Sequence, residues 1–314
     1  MTTVLITHPA FLEHETGRGH PERAERMRAI DRALEDESFS TLVRREAPLR
    51  DDDATYIAMA HGEDYLRDIR DFAEHVTGQP RYIDGDTAVS PGTWEAARRA
   101  LGAGLDAVDL LMDRRASNVF CQVRPPGHHA ESHRAMGFCL FNNVAIAAHY
   151  ARAKYGMERI AVVDFDVHHG NGTQQIFWSD KDLFYGSTHQ MPLFPGTGSL
   201  HETGVGNIFN APLRAGDARE HFEEAFRDRI LRPLHDFSPD MVLVSAGFDA
   251  HHRDPLGGLE LVEGDFGWAT QALTEVARRH ANGRIVSMLE GGYDLTGLAR
   301  SVAAHVAELM QAGA

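Results

Sequence analysis

Residues 162–173 read VVDFDVHHGNGT, and this stretch decides the fold. An apolar run, 160–163, ends in Asp164, Asp166, His168 and His169, then breaks at Gly170 and Gly172. Strand alternation sends residues i, i+2 and i+4 to one face, so Asp164, Asp166 and His168 converge at the carboxyl end of a buried strand. Open α/β sheets bind their ligands at that end. An Asp-x-His pair offers one oxygen and one nitrogen to a divalent metal of zinc-like character. Taken alone, the same residues would also serve a capped strand-to-helix turn. The rest of the chain separates the two readings.

Short apolar runs recur between longer helical patterns. The predicted strands are 4–7, 118–122, 160–164, 183–187, 241–246 and 285–289. The predicted helices are 21–35, with Pro21 in its first turn, 93–114, 142–154 stopped by Gly156, 218–231, 265–280 and 295–311. Alternation of this kind predicts a mainly parallel sheet covered on both faces. No linker, repeat or low-complexity tract interrupts it, so one domain over residues 1–314 is expected.

The 314 residues are 43% hydrophobic and 25% charged, ordinary for a globular chain with a large core. The formal charge of −15 argues against nucleic acid as a partner and favours a cationic or lysine-rich one. No stretch has the length and apolarity of a membrane span, and the start lacks the pattern of a secretory signal. Cys121 and Cys139 sit among apolar residues and read as reduced core thiols. A soluble cytoplasmic protein is expected; oligomeric state is not legible, and a homo-oligomer stays open.

Four chemistry-bearing stretches follow four predicted strands. RPPGHH (124–129) carries adjacent histidines after two prolines, and DFDVHHGNGT (164–173) the metal-like pair. SAGFDAHHRDP (245–255) brings a second acid, Asp254, and EGGYDL (290–295) a tyrosine after two glycines. Paired histidines are often loop residues and Gly-Gly-Tyr is often a plain turn, but their joint placement after four strands points to one site.

With GFCLFNN (137–143) and STHQMPLFPGTG (187–198) added, the chain resembles the zinc-dependent histone deacetylase and acetylpolyamine amidohydrolase family, and GRGHPERAERM (17–27) looks like its class II, bacterial-type branch. The resemblance implies the arginase–deacetylase fold, an eight-stranded mainly parallel sheet flanked by helices. It implies zinc held by Asp166, His168 and Asp254, three protein ligands with an open position, as catalytic rather than structural sites have; iron(II) in place of zinc in cells stays open. It makes His129 general base and later acid, with His128 tuning charge, Asp164 orienting His128, Asn171 orienting His129, and Tyr293 donating to the oxyanion. Asn171 stands where class I enzymes have aspartate, so His129 should be less basic than in a His–Asp pair.

The same resemblance lines an acyl-lysine tunnel with Gly137, Phe138 and Phe194, and puts Leu261 at the rim position that is glutamate in polyamine-selective members. It implies one potassium site at Asp164, Asp166, His168, Ser187 and Thr188, and a second, by spacing only, at Phe177, Asp180 and Leu183. The implied activity is hydrolysis of acetyl or other acyl groups from lysine side chains or similar amines, releasing acetate. The alternatives are an acetylpolyamine or other small acylamide deacetylase, and a catalytically inactive acyl-ligand-binding protein. The last would have lost a ligand, a tandem histidine or the tyrosine, and all are present. A two-manganese ureohydrolase is disfavoured, because Gly170 replaces the second acid of its Asp-x-His-x-Asp motif.

Overall fold

The computed structural model describes residues 2–313. Ten strands form: β1 (Thr3–Thr7), β2 (Val43–Glu46), β3 (Arg81–Tyr82), β4 (Ala88–Val89), β5 (Asn118–Cys121), β6 (Ile160–Asp164), β7 (Leu183–Gln190), β8 (Ile208–Leu213), β9 (Met241–Ala246) and β10 (Ile285–Leu289). Eight of them make one sheet in the order β2-β1-β5-β10-β9-β6-β7-β8, and β3 and β4 pair separately as a small antiparallel ribbon. Every pairing in the large sheet is parallel.

The sheet is parallel because helices cross between its strands and cover both faces. Its central strands show the consequence: each residue of β6, β9 and β10 is buried, as their mainly apolar sequences predict. Burying a side chain such as Leu243 or Val162 contributes about 1.5–3 kcal/mol each. The helix Asn143–Tyr155 shows local chemistry setting both ends. Asn142 Oδ1 accepts from Ala145 N at 3.1 Å at its start, and Gly156 stops it with φ +65°, a left-handed conformation that favours glycine.

All six expected strands are present, and two edge strands join them. β2, Val-Arg-Arg-Glu, is exposed at every position, so it carries no hydrophobic signature. β8, Ile-Phe-Asn-Ala-Pro-Leu, contains a proline, which a strand tolerates at the edge of a sheet. The helix expected at 21–35 is confined to Glu25–Ala33, and the one expected from 218 passes through a π-helical turn, Phe226–Leu231, and continues to Phe237. Cys121 and Cys139 are buried and unpaired. Among the described residues no helix is long and apolar enough to cross a membrane.

Candidate active site

Strands β5, β10, β9 and β6 are consecutive neighbours in the sheet, so the four loops that leave their carboxyl ends are adjacent too. Those loops carry the four stretches read from sequence. The deepest group lies between the β6 and β9 loops. One ligand atom each from Asp166, His168 and Asp249 lies within 4.8 Å of the others. His168 Nδ1 stands 3.2 Å from Asp166 Oδ1 and 3.0 Å from Asp249 Oδ2. Backbone donors fix the acids: Gly291 N reaches Asp166 Oδ2 at 2.8 Å, and Val167 N reaches Asp249 Oδ1 at 2.8 Å. A Cβ at Gly291 would come 2.6 Å from Asp166 Oδ2 and collide with Asp249, so the approach requires glycine.

Asp254 borders this group. Its Oδ2 accepts from Tyr293 N (2.6 Å) and Asp294 N (3.1 Å), and its Oδ1 from Leu256 N (3.0 Å). Asp249, which is not among the ligands that the resemblance implies, is therefore part of the tight cluster, and Asp254 joins it at the side nearest Tyr293.

The charges do not balance. Burial, reinforced by Asp166, pushes Asp249 up to about 7, and the same two causes raise Asp254. Burial also pushes Glu290 up to about 7, with Asp164 adding to it. Against Asp164, Asp166, Asp249, Asp254 and Glu290 stand the imidazoles of His128 and His168. Burial disfavours charge on both rings, yet carboxylates override it: Asp164 and Asp166 on His128, Asp166 and Asp249 on His168, each pushed up to about 10. The remaining excess of buried acid is what a divalent cation would neutralise, and a mixed carboxylate–imidazole set suits zinc.

The tandem histidines diverge sharply. His128 Nδ1 pairs with Asp164 Oδ2 at 2.9 Å, and that oxygen also accepts from the Tyr185 hydroxyl at 3.0 Å. His129 Nδ1 faces Asn171 Oδ1 at 2.9 Å. Burial, then the charges of His128 and His168, hold His129 well below the usual histidine range. The carboxylates thus favour the protonated form of His128, and burial the neutral form of His129. Their loop is fixed from below by Glu290 Oε2, which accepts from Gly127 N (2.6 Å) and His128 N (3.1 Å).

Tyr293 is half-buried, and burial followed by the charge of Asp249 raises its hydroxyl well above the usual tyrosine range, so it remains a donor. The Phe138 ring lies 5.9 Å from Tyr293, and the Phe194 ring 5.1 Å from His129 and 6.4 Å from His168. A Cβ at Gly137, whose φ is +57°, would come 2.5 Å from His129 Cδ2 and 3.0 Å from Phe194. Gly137, Phe138 and Phe194 thus border the histidine and tyrosine as expected. Leu261 does not reach a rim: it bridges His251 in parallel register and is fully buried in the core. The family resemblance alone could not show that the chain turns inward there.

The register Asp164↔Ser187 sets Ser187 and Thr188 beside the β6 exit, and Thr188 Oγ1 is buried without a partner, an orphan that a cation or a water would satisfy. At the second proposed potassium site the carbonyls of Phe177, Asp180 and Leu183 do converge, but on the amide of Asn207, whose Nδ2 lies 2.9, 3.0 and 2.6 Å from them. Val205 N donates to Asn207 Oδ1 at 3.1 Å, which fixes that orientation. The amide of Asn207 thus lies at the point where these three carbonyls converge.

Sequence reasoning also passed over a buried support behind the site. Glu22 is ion-paired to Arg124 of the tandem-histidine loop and, at 3.0 Å, to Arg26. Arg26 in turn donates to the carbonyls of Gly292 (2.7 Å) and Glu290 (2.5 Å) and lies 5.1 Å from the Tyr293 ring centre. The GRGHPERAERM stretch stood out in the sequence, but its i, i+4 Glu22–Arg26 spacing reads equally as a solvated helix pair.

A family model described as the histone deacetylase domain matches residues 20–309. A probable deacetylase of Archaeoglobus fulgidus is 36% identical over 95% of this chain and 83% of its own length. A histone deacetylase-like amidohydrolase of Pseudomonas aeruginosa is 36% identical over 88% of this chain and 73% of its own. The crystal structure of an HDA15 HD domain superposes with a TM-score of 0.92 at 33% identity, covering 99% of this chain and 88% of the other.

Proposed function

Since the chain belongs to the histone deacetylase family and has its arginase–deacetylase fold, we propose that it is a zinc-dependent amidohydrolase, one catalytic domain over residues 1–314, that removes acetyl or related acyl groups from lysine side chains or similar amines. The observation that carries the reading is a buried histidine, His129, anchored through Nδ1 on Asn171 beside a buried cluster of carboxylate and imidazole groups suited to a divalent metal. Asp166 and His168 would hold the zinc, with Asp254 as third ligand because it borders Tyr293, where substrate must react; Asp249 shares the His168 ring. Zinc supplies Lewis-acid chemistry, polarising the acyl carbonyl and acidifying the attacking water. Potassium at the site of Asp164, Asp166, His168, Ser187 and Thr188, and a cytoplasmic location, belong to the same proposal.

The residues divide the remaining work by their charge states. His129, neutral with Nδ1 anchored on Asn171, uses its other nitrogen to take a proton from the attacking water. His128, drawn towards its protonated form by Asp164 and Asp166, is the poorer base and keeps positive charge beside the reacting group. The Tyr293 hydroxyl, held protonated, donates to the oxyanion as the carbonyl carbon becomes tetrahedral. His129 then returns its proton to the departing amine. Water and amide become acetate and a free amine. Phe138 and Phe194 provide apolar walls for the methylene chain that precedes the amide.

The test is a panel of acetyl-lysine peptides against acetylputrescine and acetylspermidine with the zinc-loaded protein. Release of acetate from the peptides, lost on chelation and in His129→Ala, is expected. A preference for the polyamines would move the proposal to a small-molecule deacetylase. Tight binding of acylated ligands without turnover would leave a binding protein.

A further inference from the structure

Asn171 has a second partner, and that partner decides what His129 can do. Asn171 Nδ2 lies 2.8 Å from Glu131 Oε1, while Asn171 Oδ1 lies 2.9 Å from His129 Nδ1. The two ends of an amide are told apart by their partners rather than by their shape. A carboxylate accepts hydrogen bonds and does not donate, so the edge facing Glu131 must be the NH2. The amide oxygen is then turned to His129. An amide oxygen only accepts, so in the neutral ring the hydrogen must sit on Nδ1, and Nε2 keeps its lone pair. With the amide reversed, its NH2 would demand a lone pair on Nδ1, the ring hydrogen would move to Nε2, and the nitrogen left for catalysis would have nothing to accept with.

We propose that Glu131 is a positioning residue for the general base: acting through Asn171, it fixes the tautomer of His129. The inference rests on the reading of His129 as that base. Three observations support it. The other acceptors near Asn171 Nδ2, the His129 carbonyl and Met136 Sδ, are both 3.4 Å away, so Glu131 is the strong anchor. Among the described residues no lysine, arginine or histidine lies within salt-bridge distance of Glu131 to draw its carboxylate off. Its backbone is fixed as well: Glu131 N donates to the Arg134 carbonyl at 2.9 Å, and the Glu131 carbonyl takes His61 Nδ1 at 2.9 Å. Glu131 and Asn171 also line a shallow surface groove of about 370 Å³ with Gln174 and Trp178, so the carboxylate keeps access to water while the amide carries its orienting effect inward.

Two substitutions and their combination test this on the zinc-loaded full chain. Glu131→Gln keeps size but presents an amide that can donate as well as accept, so Asn171 is no longer forced one way round. Its kcat should fall by about 10-fold or more, the usual scale for a partner of a functional ligand, with KM and zinc content unchanged. Asn171→Asp needs no outer anchor, since a carboxylate accepts from His129 Nδ1 at either oxygen, but it faces Glu131 with like charge. In that background Glu131→Gln should raise activity. The change of sign is expected from orientation and not from a packing role. Nitrogen NMR of labelled His129 should show the Nδ1–H tautomer in the parent and a mixture in Glu131→Gln. Unchanged kcat and a single tautomer in Glu131→Gln, or an equal loss in both backgrounds, overturns the proposal. If His129→Ala retains full turnover, the reading of His129 as base fails, whereas the tautomer measurement still decides what Glu131 does.

Discussion

His128 and His129 are adjacent in sequence and their ring centres are 4.0 Å apart, yet they occupy opposite electrostatic surroundings. Behind His128 stand Asp164 and Asp166, and Glu290 holds its backbone, so the ring is drawn towards its charged form although it is buried. Behind His129 stands an asparagine, which adds no charge, so burial wins and pushes the ring towards its neutral form. Whether the first partner is a carboxylate or an amide thus sets which histidine can accept a proton. One dipeptide thereby supplies a fixed charge and a base.

The severest way to break this contrast is to remove a residue that would hold the metal. Asp166→Ala should bring bound zinc from about one equivalent per chain to near zero and turnover to background, read by metal analysis and acetate release. Asp254→Ala and Asp249→Ala sharpen the ligand set. Loss of zinc only in Asp249→Ala would replace Asp254 as third ligand. His129→Ala comes next, with a loss of about 10²–10⁴-fold and zinc retained, because general acid–base groups contribute on that scale. His128→Ala should cost less; if it costs more, the division between base and fixed charge is wrong. Tyr293→Phe removes only a hydroxyl and should lower kcat by roughly 10²–10³-fold while a metal-chelating hydroxamate still binds, as expected on losing one oxyanion donor. Near-normal turnover in that variant would mean that the tyrosine serves packing alone.

What could be read from the sequence follows from the range of each signal. β6 and β9 are legible because strands buried on both faces must be largely apolar. β2 is not, since an edge strand whose residues are all exposed has nothing to alternate. The histidines and Tyr293 are legible because loops leaving neighbouring strands carry short motifs, whereas Phe194 is legible only through the family resemblance. Asp249, Glu131, Glu22 and Asn207 are not, because each acts on residues far away in sequence or through an intervening group. Glu131 lies 40 residues from the amide it orients. Leu261 fails for the converse reason: the resemblance that placed it is local, and nothing local reveals that its bridge to His251 draws it into the core.

The mildest test takes the contrast away from the site. His305 is fully buried against Phe120, Phe165 and Phe248, with Nδ1 at 2.6 Å from Thr270 Oγ1 and Nε2 at 2.8 Å from Ser287 Oγ. Hydroxyls can partner the neutral ring, and no carboxylate is at hand to favour the charged one, so burial alone lowers its pKa to about 3. His128, equally buried but set among acids, goes the other way. The sign of the linkage follows. Between pH 6.5 and about 3 the unfolded chain binds a proton at this residue that the folded chain refuses, so stability falls as the pH falls. One such group contributes at most about 1.4 kcal/mol per pH unit. His305→Gln removes the titrating ring and keeps a donor and an acceptor. Urea unfolding of the variant and the parent between about pH 6 and pH 4.5 should therefore show a shallower acid slope for the variant, by up to that amount, with deacetylation at neutral pH unchanged. Parallel slopes would mean that His305 is protonated in the folded chain, and that burial without a neighbouring carboxylate does not suffice to keep a histidine neutral here.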